Sequence, residues 1–338
     1  MQTKEIYMRR ALELASLAEG YTAPNPMVGA VIVDDKSGLI ISEGYHHKAG
    51  QPHAEVMAVR GAGARDLSKD VTMYVSLEPC SHYGKTPPCS ELIINKGIKR
   101  VVVAMQDPFL KVAGRGIKML RDAGVEVQVG MLEAEAQRLN HAFLTAITQN
   151  RPYITLKWAE TSDGFIDKIR SYEEAPLVIS TPIRRRIVHK MRSQHDGIMV
   201  GGETLRKDNP SLDNRFWLGH SPRPIIVSHH ANIPLSAKCL QNAEAKPILF
   251  CSKDAPNLDK LTEFLDIKTY DSNKASLDFI METLIEEGVH SLLVEGGSNL
   301  LQQFLNAKLY DKIEKEVSSI VIGTGIEAPQ LQSPPISL

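Results

Sequence analysis

Met8, Ala11, Leu12 and Ala15 recur at helical spacing, so residues 4–19 predict a helix that buries one face. After the breaker-rich TAPNPMVG the period changes, and the run VGAVIV (28–33) and the stretch 39–44 predict strands. A helix starts near Pro52 and carries HAEVMAVR, and VTMYVSL (71–77) reads as a strand running into a Pro- and Gly-containing loop, 79–88. The alternation continues with helix SELIINKG, strand RVVVAM (100–105), helix GIKMLRDAG, strand VEVQV (125–129) and a closing helix at 132–148. Strands separated by helical stretches predict βαβ units on a mostly parallel sheet. NRPYITLKW (150–158) opens a second α/β stretch, in which HDGIMVGGETL (195–205) and HSLLVEGGSNLLQQFL (290–305) each read as strand, Gly-Gly turn and helix start. The expected organisation is two domains, 1–147 and 148–338, with a loose Pro/Ser-rich tail, PQLQSPPISL.

Bulk properties narrow the function classes. The chain has 338 residues, of which 43% are hydrophobic and 23% charged, a profile that supports a soluble protein with a real core. Its 39 basic and 40 acidic side chains leave a net charge of -1, which argues against holding a nucleic acid by field, though not against a small phosphorylated ligand. No apolar run is long enough to span a bilayer and no signal-like segment opens the sequence, so a cytoplasmic, membrane-free protein is expected. Four cysteines, at 80, 89, 239 and 251, do not make a disulfide framework in a chain this long.

Two of those cysteines belong to a constellation with its own chemistry. His53-Ala54-Glu55 sits at a helix start, Pro79-Cys80 follows 27 residues after His53, and Cys89 comes after an eight-residue gap. One imidazole and two thiolates fill three tetrahedral positions of a zinc ion and leave the fourth for water, the arrangement of a catalytic site. Zinc lowers the pKa of bound water toward ~7, and a nearby carboxylate that is not a ligand can move the protons. Glu55 fits that role, with one zinc expected per chain. The H-x-E and P-C pairing is that of zinc nucleobase deaminases, whose two cysteines are usually separated by only two residues.

The long gap itself carries information. CSHYGKTPPC, together with PNPMVGAVIV, EGYHHKAG, HAEVMA, VSLEPCSHYGKTPPC and QDPFLKVAGRGI, resembles the deaminase half of the bacterial RibD family of riboflavin synthesis. That resemblance implies a cytidine-deaminase-like three-layer domain acting on a 2,5-diamino-4-oxopyrimidine with a phosphoribosylamino group. It makes Asn25, His46, Lys85 and Asp107 candidates for substrate contact. Asn and Asp can match the donor and acceptor edge of the base, and Lys85 can offer charge to the phosphate. Asn25 between two prolines also fits a turn residue, and Lys85 a solvated loop charge. Phe109 stands where many family members have Asn.

In the second half, PYITLKWAETSDG, VHKMRSQHDGIMVGGETLRKDNPSL, PRPIIVS and LLVEGGSNLLQQFL resemble the reductase half of the same family. The implied domain is dihydrofolate-reductase-like α/β, uses NADPH, and reduces the ribosyl group of the intermediate to ribityl. Carried over by motif, Ala159, Thr204, Asp208 and the loop from Gly297 are cofactor positions, and Lys157, Arg192, Leu212, Arg215 and Glu295 substrate positions. Arg192 and Arg215 would form a bidentate pair for the phosphate. Two departures stand out: Val178 replaces the family tryptophan, with Trp217 as a possible substitute, and the family usually continues ~25–40 residues beyond IVIGTGIEAP. The alternative reading is therefore a deaminase joined to a non-catalytic reductase-like domain. The family also implies a homodimer or homotetramer.

Overall fold

The computed structural model describes residues 2–83, 87–109, 113–241, 243–271 and 276–331. Contacts divide the chain into two compact units, Met1–Gln149 and Asn150–Leu338.

In the first unit the elements run α1 (Gln2–Ser16), β1 (Gly29–Asp34), β2 (Ile40–Tyr45), α2 (Ala54–Gly61), β3 (Val71–Leu77) and α3 (Cys89–Asn95). They continue with β4 (Arg100–Met105), α4 (Arg115–Asp122), β5 (Glu126–Val129), α5 (Glu133–Leu139) and α6 (His141–Gln149). The sheet order is β2-β1-β3-β4-β5. Strands β3, β4 and β5 are parallel, but β1 runs antiparallel to both β2 and β3, so this sheet is mixed rather than mostly parallel. The reason is the short 34–40 connection: it allows only a hairpin, which reverses β2 against β1. The expected helix over 132–148 is likewise two helices, interrupted at Asn140.

Alternation along the strands builds two cores. Ala30, Ile32, Met73, Val75, Val101 and Val103 face α2, α3 and α4, whereas Val31, Val33, Tyr74, Val102 and Ala104 face α1 and α5. A sheet buried on both faces reads as the near-continuous apolar runs seen at 28–33, 71–77 and 100–105. The result is a three-layer α/β/α unit.

The second unit contains β6 (Tyr153–Glu160), β7 (Phe165–Asp167), α7 (Pro182–Ser193), β8 (Gly197–Gly201), α8 (Gly202–Asp208), β9 (Arg223–Val227) and α9 (Lys238–Gln241). After these come β10 (Ile248–Ser252), α10 (Leu258–Leu261), β11 (Asp266–Tyr270), α11 (Leu277–Glu286), β12 (Ser291–Val294), α12 (Ser298–Asn306), β13 (Lys312–Val317) and β14 (Ile326–Glu327). Seven parallel strands take the order β11-β10-β9-β8-β12-β6-β13, and β7 pairs with β14 apart from them. Adjacent residues again face opposite cores, as Ile225 against Ile226 and Phe250 against Cys251 do. Both Gly-Gly turns lie where a central strand ends, between β8 and α8 and between β12 and α12. Among the described residues no helix is long and apolar enough to cross a membrane.

Close packing of α1 on β1 depends on Gly29, where an added Cβ would lie 2.0 Å from the Ala11 carbonyl oxygen. Gly29→Ala is expected to destabilise the first unit by about 1–3 kcal/mol. Hydrogen exchange of the α1 and β1 amides across a urea series checks this; an unaltered midpoint would contradict the close approach.

Candidate active sites

The first unit gathers its metal-binding candidates from one loop and two helix starts. His53 caps α2 in an extended conformation, and Cys89 opens α3. His53 Nδ1 lies 3.6 Å from Cys80 Sγ and 3.3 Å from Cys89 Sγ, and the three ligand atoms all fall within 4.8 Å of one another. Zn–S bonds of ~2.3 Å and Zn–N bonds of ~2.0 Å at tetrahedral angles place N and S about 3.5 Å apart, so these residues fit a zinc ion. The sulfurs are held from behind: the Cys89 amide donates to Cys80 Sγ at 3.2 Å, and the Ser90 amide and hydroxyl donate to the Cys80 carbonyl at 3.1 and 3.0 Å. Hydrogen bonding from Cys89 and from His53 lowers the Cys80 thiol to about 4, whereas the same Cys80 contact and burial push Cys89 up.

Glu55, in the first turn of α2, is 3% exposed and lies outside the three-residue ligand cluster. Burial, then the charge of Cys80, push its carboxyl up to about 7, where it can both accept and release a proton near neutrality.

His46 and Asn25 lie beside this centre. His46 Nδ1 is 3.1 Å from the Pro52 carbonyl and must donate to it, which leaves Nε2 to accept from Asn25 Nδ2 at 3.2 Å. That assigns a neutral imidazole, and burial lowers the His46 pKa in agreement. The ring stands edge-on to His53 with centroids 5.5 Å apart. Asn140 anchors the segment carrying Asn25: its amide pairs with both the N–H and the carbonyl of Met27, at 2.8 and 2.9 Å. Asp107 is half-buried, and its Oδ1 accepts the Phe109 amide at 2.9 Å, while burial raises its pKa. Phe109 itself is 41% exposed. Lys85 lies outside the described residues. Sequence reasoning missed Asn140 and Glu78, because each acts on backbone groups that no motif reveals.

In the second unit a cavity of about 990 Å³ opens at the strand ends. Its wall contains Lys157, Ala159, Thr204, Asp208, Arg192, Arg215, Glu295 and Gly297, eight of the nine residues expected from the sequence. Leu212 is the exception. Its side chain is 2% exposed within the core around Ile198 and Ile226, so only its backbone is left for a ligand.

Arg192 also departs from expectation. Its Nε and Nη2 bind both oxygens of Glu295 at 2.9 and 2.6 Å, and Nη1 binds the Asp213 carbonyl at 2.9 Å. A guanidinium so engaged positions Glu295 rather than standing free for a phosphate. Burial alone would raise Glu295, but the Arg192 charge outweighs it and holds the carboxyl below its ordinary range. Arg215 pairs with Asp213 and lies over the Phe216 ring, 5.0 Å from its centroid. Arg185 lines the same cavity and, among the described residues, pairs with no carboxylate. Val178 is in the wall, but Trp217 is not; it lies beside Lys190, and Phe216 supplies the aromatic surface there. In the same wall Arg170 donates to Asp167 at 2.6 Å and to Asp208, and the Leu177 amide donates to Asp167, which fixes the segment that carries Val178.

The Gly-Gly turn at 296–297 lets backbone approach the cavity closely. Gly297 has φ +74°, and a Cβ there would stand 3.1 Å from Thr204 Oγ1. Thr204 and Gly297 also line a second cavity of about 340 Å³, together with Ser228, His229 and Arg206.

Two family descriptions match the chain. Residues 1–105 match the cytidine and deoxycytidylate deaminase zinc-binding region, and residues 152–335 match the RibD C-terminal domain. The riboflavin biosynthesis protein RibD of Aquifex aeolicus (strain VF5) is 43% identical over 326 residues, covering 96% of this chain and 89% of that protein. RibD of Bacillus amyloliquefaciens is 39% identical over 334 residues, 98% of this chain and 88% of that one. Two solved structures are similar throughout. The diaminohydroxyphosphoribosylaminopyrimidine deaminase/5-amino-6-(5-phosphoribosylamino)uracil reductase of Thermotoga maritima has a TM-score of 0.85 at 37% identity, over 96% of this chain and 89% of that one. RibD of Acinetobacter baumannii has a TM-score of 0.88 at 33% identity, over 99% and 92%.

Arg192→Ala is expected to destabilise the second unit by roughly 3–5 kcal/mol, since it leaves Glu295 buried without its cation. Because the carboxyl is depressed in the folded chain, the pair's contribution is complete above the ordinary glutamate range and is lost as pH falls from there through the lower folded-state value. Thermal unfolding of both forms across that range checks this; equal melting temperatures at neutral pH would contradict the pairing.

Proposed function

The chain belongs to the RibD family of riboflavin biosynthesis, and from that premise we propose which residues carry its deaminase and reductase activities and on what substrate they act. The substrate of the first unit is the one in the name of the Thermotoga relative, a diaminopyrimidine bearing a phosphoribosylamino group. The observation that carries the reading is the His53, Cys80 and Cys89 cluster beside a buried carboxyl that is not part of it. Those three residues hold one zinc ion per chain, which when bound lowers the pKa of a coordinated water to ~7.

Glu55 takes one proton from the attacking water to the ring nitrogen and then carries the second from the new hydroxyl to the amine nitrogen, so the C–N bond breaks, ammonia leaves and the ring carbon keeps a carbonyl oxygen. Asn25 keeps its carbonyl oxygen available while its Nδ2 is committed to His46, and so presents an acceptor to the base. Asp107 supplies a further acceptor through the oxygen not bound to the Phe109 amide.

In the second unit NADPH, when bound, would supply the hydride to C1′ of the sugar as its C1′–O bond opens, with the proton for that oxygen drawn from water, which converts the ribosyl group to ribityl. Thr204, Asp208 and the backbone at Gly297 bind the cofactor, and Glu295, held in place by Arg192, orients the sugar beside Lys157. Arg215 and Arg185 bring positive charge to the phosphate. Phe216 gives the aromatic surface that Val178 does not.

Glu55→Gln is expected to keep about one zinc per chain while ammonia release falls by about 10²–10⁴-fold. Metal analysis and a coupled ammonia assay check it together, and turnover at the original rate would remove Glu55 from the mechanism. For the second unit, NADPH fluorescence is expected to saturate on titration. Absence of saturation would leave the cofactor assignment without support.

A further inference from the structure

Glu78 directly follows β3 and lies two residues before Cys80. Its own amide donates to the Met105 carbonyl at 3.0 Å, which extends the β3–β4 pairing by one residue. The side chain is 6% exposed and, among the described residues, pairs with no cation. Instead Oε2 accepts the amides of Asp107 and Gly114, at 3.2 and 2.9 Å, and Oε1 accepts those of Gly116 and Ile117, at 2.8 and 3.2 Å. Four backbone donors satisfy this buried carboxylate.

The bonds to Gly116 and Ile117 cap the first turn of α4, as an acidic side chain often does. Capping does not account for the other two. Asp107 lies eight residues before Arg115, where α4 begins, so Oε2 joins both ends of the 107–114 segment to a single point. That point is rigidly tied to the metal-binding candidates, since the chain runs on through Pro79 to Cys80 and Ser90 donates to both of their carbonyls. Gly116 packs against the same place, where a Cβ would fall 1.9 Å from the Pro79 oxygen.

We propose that Glu78 is a positioning residue for pyrimidine binding: by joining the amides of Asp107 and Gly114 to the residue two before Cys80, it fixes Asp107 relative to the deaminase centre. The inference rests on the reading that Asp107 contacts the base. Glu78 touches neither substrate nor metal ligand side chains. A carboxylate is required because both oxygens must accept; in Gln, one terminus becomes a donor facing two N–H groups.

The test uses the full zinc-loaded chain and ammonia release from the diaminopyrimidine phosphate. Glu78→Gln is expected to raise KM by about tenfold with kcat within about threefold, because a displaced contact weakens binding more than the proton transfers at Glu55. Zinc content stays at the level of the unsubstituted protein. Asp107→Ala also raises KM, and adding Glu78→Gln to it changes KM by less than about twofold, since the two act on one contact.

Additive effects, an unchanged KM in Glu78→Gln, or loss of zinc with KM intact each overturn the inference. Asp107→Ala with unchanged KM overturns the contact reading and the inference with it, whereas a raised KM there beside an unchanged KM in Glu78→Gln overturns the inference alone. Hydrogen exchange on the unsubstituted protein serves as a measurement that needs no variant to fold. The Asp107 and Gly114 amides are expected to be protected like those of α4, and exchange at the rate of an open loop overturns the clamp.

Discussion

Two sulfurs and one imidazole nitrogen must meet around a point while a carboxyl only two residues from that imidazole lies beside them, against Cys89, without joining the cluster. Both conditions follow from where α2 begins. His53 is still extended and points its ring to the cysteines, whereas Glu55 is already helical and lies buried beside Cys89. The two thiols arrive from the end of β3 and the start of α3, so the centre exists only if strand and helices are packed together. Burial of the sheet on both faces is what enforces that packing. Each buried Val or Ile contributes about 1.5–3 kcal/mol, and the two faces use alternate residues of the same strands.

The second unit applies the same principle with different chemistry. Its parallel strands end together, the two Gly-Gly turns expose backbone at that edge, and the cavity wall collects residues from β6, α7, α8 and the turn after β12. Charged groups there are largely spoken for by each other. Arg192 is engaged by Glu295 and Asp213, and Arg170 by Asp167 and Asp208. Such pairs keep the wall rigid and leave Arg185 as a cation without a carboxylate partner among the described residues.

Much of the metal centre was legible in the sequence because a tetrahedral ion demands particular side chains, and their types and spacing survive in one dimension. His53, Cys80 and Cys89, which the fold brings together, are examples. Strand positions were legible for a related reason, since period-2 alternation and continuous apolar runs report burial directly. The mixed direction of the first sheet was not, because strand direction depends on whether a connection has room to cross over.

What the sequence determined by itself, then, is the chemistry that depends on residue identity: the soft ligands, the free acid beside them, and the apolar faces that drive two α/β layers together. Only the tertiary structure decided which charges are free and which are consumed. Arg192 and Arg215 look equivalent along the chain, yet one is buried on Glu295 and the other lies over an aromatic ring at the cavity wall. Leu212 matches a motif but faces the core, and Glu78 holds four backbone amides through bonds that no side-chain pattern along the chain reveals. Hydrogen bonds and ion pairs form between groups close in space, and that proximity is set by packing rather than by order along the chain.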